Sequence, residues 1–232
     1  MIEIPSFNEL IEKSIISNWD KDALTDFKGA TLQYHDVARK IEKLHIMFES
    51  SGVQRGDKIA LCGRNSSNWA VAFLATLTYG AVAVPILHEF TADQIHNIVN
   101  HSEAKLLFVG DYVATIIDQT KMPDLEGIIY IPDYSLVVSR TDKLTYAREH
   151  LNAMFGEKYP KFFRKEHVHY YREQSPEELA LINYTSGTTG FSKGVMIPSR
   201  AMWSNYDFAM TAVAKHIKKG DNVISILPMA HM

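Results

Sequence analysis

The chain is 232 residues long and carries 24 Lys and Arg against 27 Asp and Glu, a formal charge of −3. That length holds one large domain or two small ones with a sizeable core, and the slight acidity excludes a nucleic-acid partner recruited by bulk electrostatics. The single cysteine, Cys62, excludes a disulfide framework or a multi-cysteine zinc site and fits a reducing compartment.

The first residues (MIEIPSFNELIEKS) have neither the basic start nor the apolar run of a secretory signal, so a folded, cytoplasmic protein or piece of one is expected. Helical spacing opens at 7–17 and is clear at 34–50, where Val37, Ile41, Leu44 and Phe48 share a face. Gly52 ends that helix, and Gly56-Asp57 turns the chain into a strand at 58–62. Residues 69–87 (WAVAFLATLTYGAVAVPIL) are uncharged and just long enough to span a bilayer. Ser66 or Ser67 can cap a helix here, however, Gly80 stops it, and a strand follows at 81–86. Pro85, two threonines and the missing basic flank also favour a buried helix and strand. Thr91 with Gln94 is a capping box that opens a helix running to about residue 100. A strand at 105–109, a helix near 111–119 and a strand at 127–131 repeat the alternation. Such alternation means an α/β fold, a mostly parallel sheet flanked by helices.

Residues 133–175 break that rhythm; charged and aromatic (KYPKFFRKEHVHYYREQ), they read as a helix plus an exposed, irregular insertion. Regularity returns with a strand at 179–185, a Gly/Thr-rich loop, a short strand at 194–197, a helix at about 199–217 and a strand at 222–227. The helix carries Met202, Trp203, Phe208 and Met210 as core or ligand-pocket wall. The last residues, LPMAHM, follow straight off an apolar strand, which reads as a cut within a larger domain.

The chemistry concentrates in YTSGTTGFSKG at 184–194, which holds three glycines, five hydroxyls (Thr185, Ser186, Thr188, Thr189, Ser192) and one lysine, Lys193. Gly187, Gly190 and Gly194 let backbone N–H groups approach a ligand. The hydroxyls donate to phosphate oxygens, and Lys193 supplies a mobile positive charge. A polyanion suits such a cradle better than a plain surface turn does. It is not the common P-loop, because Ser192 stands where the second glycine belongs and Gly194 where the magnesium-binding hydroxyl belongs.

YTSGTTGFSKG resembles the signature loop of the adenylate-forming enzymes: acyl-CoA synthetases, luciferases and the adenylation domains of peptide synthetases. LQYHDV at 32–37, GDKIALCGRNSSNW at 56–69, YGAVAVPI at 79–86, HSEAKLLFV at 101–109 and LPMAH at 227–231 resemble further family motifs, in family order. The resemblance implies that residues 1–232 are the amino-terminal part of an AMP-binding domain whose mobile carboxy-terminal domain lies beyond the last residue. It implies a ligase that joins a carboxylate to ATP, releases pyrophosphate and passes the acyl group to coenzyme A. On that reading Thr185, Ser186, Gly187, Thr188, Thr189, Gly190 and Lys193 contact ATP phosphates, with Mg²⁺ sharing the charge. His231 sits near the acyl carboxylate, and Lys193 and His231 are the catalytic candidates.

The family usually has Pro where this chain has Ser192, and often His and Asn where it has Ser199 and Ala201. LPMAH is similar to the LPLAH of long-chain fatty acyl-CoA synthetases, so a medium- or long-chain fatty acid is the expected substrate. An aryl or amino acid is the alternative within the class, and a non-catalytic nucleotide-binding protein the alternative outside it. No metal site is expected: His167 and His169 share a face if they lie on a strand but lack a third ligand, and His96 and His101 are misspaced for one helical face. Cys62, on a buried strand, reads as a structural thiol. The basic, aromatic run at 158–172 is a candidate contact for anionic lipid or an acyl-carrier partner.

Overall fold

The computed structural model describes residues 6–185, 193–213, 216–218 and 220–231. The first helix, α1 (Phe7–Ser17), starts where Ser6 Oγ accepts the Glu9 N–H. An antiparallel hairpin unannounced by the sequence follows, β1 (Asp22–Thr25) against β2 (Thr31–Gln33). Helix α2 (Tyr34–Ser51) begins with Asp36 accepting the Gln33 N–H and ends at Gly52, whose φ of +90° closes the helix in the left-handed conformation. Strand β3 is Lys58–Cys62, α3 is Ser67–Tyr79 and β4 is Val82–Ile86. The uncharged stretch is therefore a helix and a strand: Ser66 Oγ accepts the Trp69 N–H at 3.1 Å, and Gly80 caps the end at φ +87°. No helix among the described residues is long and apolar enough to cross a membrane.

Helix α4 (Ala92–Ser102) opens with the expected capping box of Thr91 and Gln94. Then come β5 (Ala104–Val109), α5 (Asp111–Ile116), β6 (Gly127–Tyr130), β7 (Leu136–Ser139), α6 (Asp142–Glu149) and α7 (Leu151–Lys158). A final group comprises β8 (Leu179–Thr185), β9 (Lys193–Pro198) and α8 (Ser199–Val213).

The main sheet runs β7-β6-β5-β3-β4-β8-β9, parallel from β6 to β8 with an antiparallel strand at each edge. Its connectivity dictates its layering. The step from β3 to β4 moves one way along the sheet, and the step from β4 to β5 moves back past β3. Right-handed crossovers then require α3 and α4 to lie on opposite faces. Alternate strand residues feed two cores accordingly. Ile59, Leu61, Leu106 and Phe108 pack with α2, α3 and α6, while Ala60, Cys62, Leu107 and Val109 pack with α4 and α5. Burial on both faces is why these strands read as unbroken apolar runs.

Three expectations change. Residues 133–175 are more than a helix and an exposed excursion, although 160–166 are largely exposed as expected. They contain β7, α6 and α7, and Tyr134, Leu144, Ala147, Val168 and Tyr170 are buried. The Arg140 guanidinium donates to the carbonyls of Gln119 and Pro123 at 2.6 and 2.9 Å, and Glu12 accepts the Tyr170 N–H at 2.8 Å and pairs with Arg172 at 2.6 Å. Residues 222–227 form no strand: Ile224 and Ile226 are both 83% exposed, with no ladder partner to bury either face. The last helix ends at Val213, and although Met202 packs on the core, Phe208 and Met210 are 74% and 50% exposed rather than internal.

Candidate functional site

The signature loop hangs between β8 and β9. In their antiparallel register Thr185 lies opposite Lys193 and Tyr184 opposite Gly194. Residues directly opposite in such a ladder carry side chains on one face with Cβ atoms ~5 Å apart. The hairpin therefore sets a hydroxyl and an ammonium side by side, both exposed, at the mouth of the loop. Ser186, Gly187, Thr188, Thr189, Gly190 and Ser192 lie outside the described residues.

The mouth is braced from beneath. Tyr184 is buried, and its hydroxyl and His101 Nδ1 share a hydrogen bond of 2.7 Å, the two rings meeting edge to face. Burial raises the Tyr184 pKa, keeping the phenol protonated. His101 thus has a structural duty at the end of α4. Gly194 is needed because a Cβ there would stand 3.0 Å from Tyr184 Cζ and 2.9 Å from Ile182 Cγ2.

Since β3, β4 and β8 are parallel, Thr185 and the loop after β3 lie at the same, carboxyl edge of the sheet. That second loop holds the segment with the other catalytic candidate. Asn65 Nδ2 donates to the Leu227 carbonyl at 2.7 Å, and its Oδ1 accepts the Met229 N–H at 2.7 Å. The segment then turns, the His231 N–H donating to the Pro228 carbonyl at 2.9 Å. His231 is exposed, and no contact joins it to Lys193 among the described residues. Lys193 and Thr185 are brought together; His231 shares their edge of the sheet.

Asn65 stands within GDKIALCGRNSSNW, but the sequence assigns it no role. Its only signal was an amide in a Gly-Arg-Asn-Ser-Ser turn directly after a strand, a common turn residue. A cleft of about 310 Å³ also opens at the reversal point of strand order, beyond β3 and β5, lined by Gly63, Arg64, His88, Gly110 and Tyr112. Crevices at this point are the usual binding place in open α/β sheets. Its floor needs two glycines: a Cβ on Gly110 would lie 3.1 Å from Gly63 Cα.

The remaining candidates fall out of the chemistry. Burial pushes the Cys62 thiol up to about 12, so it stays protonated and inert. His167 ends a 3-10 turn (Lys165–His167), not a strand, and its Nδ1 accepts the Arg164 N–H at 2.9 Å. Buried His96 accepts the Asp118 N–H through Nε2 at 2.9 Å. Among the described residues no three His, Cys, Asp or Glu side chains converge as a metal cage would require.

A family model described as "AMP-binding enzyme" matches residues 12–232. Long chain acyl-CoA synthetase 3 of Arabidopsis thaliana is 25% identical over 86% of this chain and 30% of its own length. The 4-chlorobenzoate–CoA ligase of an Arthrobacter species is likewise 25% identical, over 88% of this chain and 35% of its own. The chain thus spans about a third of the length of these curated relatives. Among solved structures, a long-chain-fatty-acid–CoA ligase from Archaeoglobus fulgidus superposes with a TM-score of 0.74 over 99% of this chain and 43% of its own, at 19% identity. With the family model covering nearly every residue from α1 onward, this chain belongs to the AMP-binding enzymes.

Proposed function

We propose that these residues form the amino-terminal part of the adenylation domain of a fatty acid–CoA ligase, and that the whole protein activates a medium- or long-chain fatty acid with ATP and passes it to coenzyme A. The observation that carries this reading is the pairing of Thr185 with Lys193 at the carboxyl edge of the sheet. A carboxylate is a weak nucleophile facing a polyanion. The barrier falls when phosphate charge is neutralised and the partners are held in line. Lys193 would take the charge of the departing pyrophosphate, and Thr185 would donate to a phosphate oxygen.

The donor set fits a polyphosphate, because hydroxyl and ammonium stand exposed together and, among the described residues, no acid pairs with either. Mg²⁺ would arrive on the nucleotide and share the phosphate charge, since the described residues offer it no cage of their own. His231 would lie by the acyl carboxylate, on the segment that Asn65 fixes. A lone buried thiol suits a reducing compartment, and we assign the reaction to the cytoplasm.

Exchange of labelled pyrophosphate into ATP by the whole protein tests the reading. It should require a fatty acid and disappear in Lys193→Ala. Equal exchange with aryl acids would favour the other branch, to which the 4-chlorobenzoate ligase belongs. No exchange with any carboxylate would leave a nucleotide-binding protein without catalysis.

A further inference from the structure

Residues 158–165 (KYPKFFRK) play no part in the site above. Four cations, Lys158, Lys161, Arg164 and Lys165, fall within these eight residues without an acid, and Glu157 and Glu166 flank them. Lys158 is neutralised by Glu42 at 2.8 Å. Lys161, Arg164 and Lys165 are exposed, and no ion pair engages them among the described residues.

The two phenylalanines divide their work. Phe163 turns inward, its ring 6.1 Å from Trp19, 5.7 Å from Phe155 and 4.9 Å from Tyr159. Phe162 stands out between the cations, 71% exposed. One ring anchors the segment and the next is presented. Further charge gathers alongside on α2 and α6. The Lys43 ammonium is held below its usual range, first by its own burial and then by Arg39, Lys40 and Arg148. A lone exposed ring is ordinary; this one stands among unpaired cations, and the second basic group, in which Arg39 pairs with Asp36 at 3.3 Å, meets α7 where Lys43 donates to Asn152 at 2.8 Å.

We infer that the 158–165 ridge docks the protein on an anionic membrane, with Phe162 entering the acyl boundary and Lys161, Arg164 and Lys165 resting on phosphate headgroups. Lipid suits it better than an acidic protein because these lysines have no fixed partners. Mobile ammonium groups match a fluid sheet of charge, whereas a protein partner rewards geometry held in place. The contact inferred here is made at the membrane surface by an exposed ring and its neighbouring cations. The inference stands whichever acid the enzyme activates.

Vesicle co-sedimentation of the complete chain tests it, with phosphatidylcholine alone and with added phosphatidylserine. Binding should require phosphatidylserine and fall with salt. Lys161→Ala/Arg164→Ala/Lys165→Ala should weaken it about a hundredfold, from roughly fivefold per cation. Phe162→Ala should weaken it without changing the salt dependence, and an unaltered circular-dichroism melt of each variant would exclude misfolding. In Phe162→Trp, the new fluorescence should be quenched by lipids brominated on their acyl chains. Equal binding to neutral vesicles, or undiminished binding by the triple variant, would overturn the proposal. So would loss, in that variant, of affinity for an acidic carrier protein alone.

Discussion

Strand β3 and the segment from β9 onward are made of similar residues and meet opposite fates. In β3 the side chains from Ile59 to Cys62 are fully buried, flanked by β4 and β5 and covered on both faces. From β9 on, Met196, Phe208, Ile224 and Ile226 face solvent. Apolar composition nominates a residue for burial, and only a neighbouring edge or face completes it. The proposed site lies where burial gives way: Thr185 and Lys193 are exposed, on a hairpin braced by buried Tyr184.

If that contrast holds, damage to the interior should cost stability and damage to the rim should cost activity. Phe108 is fully buried and meets Phe48 and Tyr134 edge to face. Phe108→Ala should remove about 3–5 kcal/mol in a urea titration. A loss below about 1 kcal/mol would mean that the centre repacks and the comparison is overstated. On the proposed role, Lys193→Ala should lower pyrophosphate exchange about 10²–10³-fold by removing the charge assigned to the phosphates, with no change in thermal midpoint because the side chain is exposed. A fall in both would make β9 a structural strand.

A third test probes the α2–α3 contact. His45 Nε2 donates to the Ala75 carbonyl at 3.0 Å, and burial lowers its pKa to about 4. The unfolded chain protonates this ring near pH 6.5 while the fold resists until about pH 4. Stability should therefore be full above pH 6.5 and fall as pH drops toward 4, by about 1–3 kcal/mol. His45→Gln should flatten that slope, and an unchanged slope would assign the acid sensitivity to other groups. The smallest effect belongs to the rim. Asn65→Ala deletes two hydrogen bonds to 227–229. It should raise hydrogen exchange at the Met229 amide about tenfold and leave β3 amides protected.

What the sequence made legible was local. Boundaries at 7–17 and 58–62, the Thr91–Gln94 capping box and the Gly52 and Gly80 stops rest on chemistry within one turn of chain. The β1–β2 hairpin escaped notice because its strands have four and three residues, too short for a period to show. Residues 133–175 misled because Arg140, Tyr170 and Arg172 dock through partners 15 to 160 positions away. The same divide runs through the site. Thr185 and Lys193 stood in a contiguous motif, whereas Asn65 acts on residues more than 160 positions along the chain.

Pro85 in β4 has a consequence for how the sheet is assembled. On the ribosome β4 emerges beside β3, but its other neighbour, β8, is made roughly ninety residues later, about 5–20 s at usual rates. Through that interval one edge of an entirely apolar strand lies bare, an invitation to the nascent chains of nearby ribosomes. Proline has no N–H to offer an intruder, so the waiting edge is a poor template. In the finished sheet β4 and β8 share a single register pair, Ala83 with Leu181. The seam that closes last is thus also the one with the shortest ladder among the parallel strands.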